Sequence, residues 1–144
     1  MPIPWYITAI AAAMIWGIHY PLIDHALKKL SLFSVLLLTV LPVLLLIPFF
    51  SHDLAQDIKT FGQLSGFDKL AIVSIGITSV LASVLLFMSI GNKNATLASL
   101  IEITYPVFVA LFAFVIFRQM HLNASVITGG VLIMAAAALI IVNN

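Results

Sequence analysis

Five long apolar stretches run through the chain, at about 4–27, 31–50, 69–90, 95–117 and 124–142, and polar residues fall mostly between them. The hydrocarbon core of a bilayer is about 30 Å thick and takes roughly 20 helical residues to cross. Each stretch is therefore predicted to be a membrane helix. The turns "KKLS", "GNKN" and "RQMHLN" are short, so successive helices are expected to be antiparallel neighbours. The one long connection is "SHDLAQDIKTFGQLSGFDK". In it Leu54, Ile58 and Phe61 follow i, i+4, i+7, with Asp53, Asp57 and Lys59 off that line. This pattern predicts a short amphipathic helix lying in the membrane interface. The first stretch lacks a basic leader and runs past signal-peptide length, so it is read as a retained span. The expected fold is an all-α polytopic membrane protein, one membrane domain over 1–144 with no soluble domain.

Composition strengthens this picture. Of 144 residues, 63% are hydrophobic and 8% charged. A soluble domain of that length has too much surface to hide so many apolar side chains. The net charge of +1 offers no basic surface for nucleic acid. Cysteine is absent, which removes disulfides, thiol catalysis and thiolate metal sites. His19, His25, His52 and His121 are scattered, so no metal-ligand cluster is expected. The sequence "ITGGV" lies in an apolar helix and matches no phosphate-cradling loop. With no nucleophile–base pair in view and no cofactor expected, an enzyme is not the reading.

Against that apolar background the polar groups stand out. An ionised side chain at mid-bilayer costs on the order of 3 kcal/mol and should face the bundle interior or water. Glu102 lies well inside the fourth stretch. At about 1.5 Å per residue, it sits roughly 10 Å beyond Ala95. Ser99, Glu102, Pro106, Val109 and Ala113 share one helical face, bordered by Tyr105. The first stretch has a matching face of Thr8, Ala12, Trp16, His19 or Tyr20, and Ile23. The third has Ser79 and Ser83 on one face and Ser74 and Thr78 on the next. Glu102, Trp16, His19, Tyr20, Ser99, Tyr105, Ser79 and Ser83 are thus the candidate substrate- and proton-binding residues. They would line a cavity with aromatic walls, a few hydroxyls and one carboxylate, suited to an organic cation or an amphipathic metabolite. The plainer alternatives are that the hydroxyls only glue helices together, and that Glu102 forms a structural pair with His19 or a hydroxyl.

Pro21, Pro42 and Pro106 lie inside spans. Each removes a backbone donor and tends to kink its helix. Pro21 and Pro106, beside the polar faces, are the candidate hinges. Asp24 precedes Lys28 by four residues, the favourable order for an interfacial ion pair. In the fifth stretch, Ser125 and Gly129 form a small-xxx-small pair followed by an alanine run, which predicts a close-packing face.

Lysines and arginines near span ends set orientation. Lys59, Lys69 and Arg118 fall on one side of the membrane and Lys28, Lys29 and Lys93 on the other. This balance sets no orientation and is what a chain inserting both ways would show.

The stretch "IWGIHYPL" is similar to the Trp-Gly motif in the first helix of the EamA family, within the drug/metabolite transporter superfamily. "YPVFVALFAFVIFRQMHLNASVITGGVLIMAAAALII" resembles that family's closing segment, with Pro106, the Arg118 turn and Gly129 or Gly130 in the matching places. Many family repeats carry a glutamate in that turn, where this chain has Arg118 and Gln119. The resemblance covers the whole chain as one five-span repeat. It implies half of an inverted-repeat transporter, since most family members carry two such repeats in one chain. Two copies inserted in opposite orientations would rebuild the whole, with the site between repeats near mid-bilayer. The function it implies is export or exchange of a small organic metabolite or cation. Glu102 matches no general motif of the family, and the expectation that it couples transport to protons comes from its depth in the span. The expected assembly is an antiparallel homodimer in the lipid bilayer, and the expected location the bacterial inner membrane. A small multidrug-resistance-like exporter is the near alternative, but those have four spans with the glutamate in the first. A non-transporting membrane subunit needing a paralogous partner is the alternative from another class.

Overall fold

The computed structural model describes residues 3–120 and 122–144. His121, one of the four scattered histidines and part of the "RQMHLN" turn, lies outside the described residues. The helices are α1 (Trp5–Leu27), α2 (Leu32–Leu44), α3 (Ser51–Gln63), α4 (Gly66–Asn92), α5 (Ala95–Glu102), α6 (Tyr105–Phe117) and α7 (Ala124–Asn143). A short 3-10 turn, Ile47–Phe49, follows α2. No β-strand occurs among the described residues. Among the described residues five spans are long and apolar enough to cross a membrane: Trp5–Leu27, Leu32–Phe49, Gly66–Asn92, Ala95–Phe117 and Ala124–Asn143. The fold is the predicted all-α polytopic one.

Helix starts are written into the turns. "KKLS", "GNKN" and "RQMHLN" each end in a residue that caps the next helix. Ser31 Oγ accepts from the Ser34 N–H at 3.3 Å, Asn94 Oδ1 from Leu97 at 2.8 Å, and Asn123 Oδ1 from Val126 at 2.9 Å. Each side chain satisfies a backbone donor that the helix itself leaves free. Ser65 does the same ahead of α4: its Oγ accepts from the Asp68 N–H at 3.1 Å and donates to Asp68 Oδ2 at 2.6 Å. The segment expected to form a short amphipathic helix is helical as α3, longer than the Leu54, Ile58 and Phe61 pattern that predicted it. Span two stops being α-helical soon after Pro42 and tightens into the 3-10 turn. At the far end of α6, Arg118 turns into the left-handed region (φ 56°). The N–H of Arg118 reaches Phe114 O at 3.0 Å, the five-to-one bond of an αL cap, and that of Gln119 reaches Ala113 O at 3.2 Å.

The chain divides into two compact units. One comprises the described residues up to Leu22 together with Asn92–Asn144, and the other Ile23–Gly91. The first division falls one residue beyond Pro21, inside a helix that runs unbroken through that proline. In the second unit the buried side chains are Ile23, Val35, Phe87 and Ile90. In the first unit they are Ala95, Ala98 and Ala137, and α5 packs against α7. Small residues suit that contact, because lipid is as apolar as the helices and association rests on close approach.

The packing face of α7 differs from the one expected at Ser125 and Gly129. Gly129, Gly130, Ile133, Ala137 and Ile140 are its more covered positions, and Ser125 is exposed. A Cβ on Gly130 would meet Val107 Cγ2 at 3.4 Å, whereas one on Gly129 would meet nothing within 4 Å. Adjacent helical residues point about 100° apart, so only one of the two glycines can lie at the closest approach to α6.

Candidate functional site

Span four is two helices rather than one. α5 ends at Glu102, and α6 begins at Tyr105 with Pro106 in its first turn. Proline has no N–H, so the Glu102 carbonyl loses its helical partner four residues on. The intervening residues stay right-handed but tighten. Thr104 N–H reaches Ile101 O at 3.1 Å and Val107 N–H reaches Thr104 O at 3.0 Å, both in the shorter i to i−3 pattern. The break therefore has an identifiable cause in Pro106, and Glu102 is the residue immediately before it.

The Glu102 carboxylate meets the first span here. Tyr20 Oη donates to Glu102 Oε2 at 2.6 Å, in a partly buried setting. That length is typical of a hydroxyl bonded to a carboxylate. Of the two partners the sequence left open, a hydroxyl or His19, the structure selects the hydroxyl. His19 and Tyr20 are consecutive on a helix, so their side chains diverge and only one aims at Glu102. His19 turns to Trp16 instead, with ring centroids 5.1 Å apart at 79°. Trp16 also flanks Tyr20 at 5.4 Å and 45°. The spacing i, i+3, i+4 is what brings the three rings together on α1.

The other candidates divide. Ser99 lies on the Glu102 face, but its hydroxyl donates to Thr96 O at 3.0 Å within its own helix. Ser74, Thr78 and Thr8 likewise bond their own helices' carbonyls, a habit of hydroxyl residues within helices. Tyr105 opens α6 and is exposed. Ser79 and Ser83 belong to α4 in the other unit, Ser79 exposed and Ser83 half-buried. Asp24 pairs with Lys28 at 3.1 Å, the predicted i, i+4 contact.

Two features went unread in the sequence. One is the complete interruption of span four, although its signal, a proline four residues after Glu102, was visible. The other is a recess of about 940 Å³ along α6 and α7, lined by apolar side chains such as Leu111, Phe114 and Met134. That lining gives a polar solute nothing to bond.

Among the described residues no basic side chain pairs with Glu102. One neutral hydroxyl covers one of its oxygens. A charge-assisted hydrogen bond contributes about 1.5–3 kcal/mol, comparable with the order of 3 kcal/mol that the membrane charges for an ion. The second oxygen has no side-chain partner among the described residues. The family model of the EamA-like transporter family matches residues 3–142. No curated protein and no solved structure matches the chain.

Proposed function

The chain belongs to the EamA-like transporter family, a membrane transporter of the drug/metabolite type, and from that premise we propose that it exchanges or exports a small organic metabolite or cation against protons, with Glu102 as the shared site. The observation that carries this reading is a carboxylate inside a span, at a helix break, held by a neutral donor and, among the described residues, by no cationic side chain. A proton and a cationic solute can each neutralise it, but not both at once. Occupation by one then requires release of the other, which is exchange. Broken helices whose ends meet at a site inside the membrane are a recurring device of secondary transporters.

The proposed assembly is an antiparallel homodimer, each copy supplying five spans. Its support is the even distribution of Lys and Arg between the two sides of the membrane. Pro21 and Pro106 are the proposed hinges: the first lies next to Tyr20, and the second follows the break after Glu102. A bacterial inner membrane is the proposed location.

The test starts with a thermal-shift screen of the purified protein against organic cations, amino acids and neutral metabolites. The best solute is then followed in proteoliposomes under an imposed pH gradient. Glu102→Gln keeps size and hydrogen bonding but cannot cycle a proton. It is expected to fold normally and to lose pH-driven uptake. Full pH-driven uptake by a normally folded Glu102→Gln would overturn the proposal.

A further inference from the structure

We infer that the site at Glu102 selects organic cations carrying at least one N–H, protonated amines rather than quaternary ammonium ions, and that it receives them on the single oxygen Oε1. The inference rests on the transport reading above and narrows its substrate class.

Three observations carry it. The first is the missing counter-charge. Among the described residues Glu102 has a hydroxyl partner and no basic one, so a solute that takes the place of its proton must bring the positive charge itself. The second is the division of labour between the two oxygens. Tyr20 holds Oε2 at 2.6 Å. Oε1 is then the oxygen with no side-chain partner among the described residues. A guanidinium, whose strength is a fork of two parallel N–H groups on both oxygens, must share Oε2 with Tyr20 and so gains less from its second N–H.

The third is the state of the aromatic rings. Quaternary ammonium ions are held by aromatic faces, with the cation within about 6 Å of each ring. Opposed faces that sandwich such a cation must stand well apart. Here Trp16 already lies 5.1 Å from His19 and 5.4 Å from Tyr20, centroid to centroid. The rings are packed on one another and leave no slot between them. They form a buttress for Tyr20, not a cage. Tyr20 is accordingly a positioning residue: Trp16 fixes its ring, its hydroxyl fixes Oε2, and Oε1 is thereby presented. A free amine and the ammonium headgroup of phosphatidylethanolamine share this chemistry.

The experiment uses the full chain in detergent micelles at one fixed pH. Phenethylamine, its N,N,N-trimethyl analogue and phenethylguanidine are titrated by calorimetry. Phenethylamine is expected to bind about tenfold more tightly than the trimethyl analogue, the worth of one charge-assisted hydrogen bond. The guanidine is expected within about threefold of the amine. Tyr20→Phe keeps the ring and frees Oε2, so the guanidine should gain about tenfold relative to the amine. A merely structural tyrosine would weaken all three ligands together and leave their ratios alone. Nanodiscs with and without phosphatidylethanolamine separate the two sources. Competition by that lipid would support the same N–H chemistry with a headgroup as occupant, and its absence would support a free amine. A trimethyl analogue binding as well as the amine, or ratios unmoved by Tyr20→Phe, would overturn the inference. So would the binding of none of the three while another solute shows Glu102-dependent uptake, which leaves the transport reading standing. The expected ranking without proteoliposome uptake of the bound amine would instead overturn transport and leave the selectivity intact.

Discussion

Replacing Pro106 with alanine probes the break directly. In Pro106→Ala the backbone would regain an N–H positioned for the Glu102 carbonyl, and α5 and α6 could join into one helix. Proline in a helix interior costs about 3 kcal/mol relative to alanine. Pro106, however, sits in the first turn of α6, where proline is well tolerated. The gain is therefore close to one backbone hydrogen bond, about 1 kcal/mol. Because α5 is anchored on α7 through buried Ala95 and Ala98, the straightening should move α6 and leave Glu102 beside Tyr20. Solute affinity is then expected to stay within about twofold. Turnover should fall: about 1 kcal/mol favouring one arrangement slows escape from it roughly fivefold. Detergent-titration unfolding measures the stability, calorimetry the affinity and proteoliposome uptake the turnover. Unchanged turnover in a stabilised variant would show that the break only shapes the helix, and loss of stability would show that no hydrogen bond was regained.

Two further outcomes follow from the packing and the charge balance. Gly129→Ala, with nothing within 4 Å of the new Cβ, should stabilise α7 by up to about 1 kcal/mol, whereas Gly130→Leu should cost about 1–3 kcal/mol through collision with Val107; equal effects in unfolding titrations would contradict the packing face. Lysines added at Asn92 or, separately, in the Arg118–Asn123 turn should bias insertion in opposite directions, each variant weak alone and active when co-expressed; a single-sided C-terminus in the unmodified protein, read by cysteine accessibility, would exclude the antiparallel dimer.

The spans were legible because lipid imposes a crude rule: apolar runs of the right length, interrupted where polarity returns. The caps were equally local, since Ser31, Asn94 and Asn123 act on residues three positions on. Glu102 stood out because a carboxylate in that setting has a large energetic consequence. Its partner was harder to read. Tyr20 is 82 residues away in sequence, and helical spacing alone could not choose between it and His19. The hydroxyl-rich faces admit two readings for a related reason. Serine and threonine can bond their own helices, as Ser74, Thr78 and Ser99 do, so a polar stripe need not be a binding surface. The glycine at the packing face was displaced by one position because the rotation of α7 is set by what it packs against, not by its own small-residue spacing.

The hydrogen bond between Tyr20 and Glu102 joins two places where the helical backbone lacks a donor. Tyr20 directly precedes Pro21, and Glu102 directly precedes the break made by Pro106. At 2.6 Å the bond is near its shortest useful length. A relative displacement of about 1 Å takes the two oxygens to roughly 3.6 Å, where no hydrogen bond remains. Small movement at either proposed hinge is therefore felt at the carboxylate, and the bond in turn biases the hinges toward the arrangement seen here. Tyr20→Phe and Pro106→Ala then act on one equilibrium from two sides. Their effects on turnover should not add. Groups sharing one network typically show interaction energies of about 0.5–3 kcal/mol, and the lower end alone is about a twofold departure from the product of the single-variant rates. Proteoliposome turnover of the two single variants and the double variant measures that departure. Strict multiplicativity would mean that the hydroxyl orients the carboxylate and takes no part in the movement.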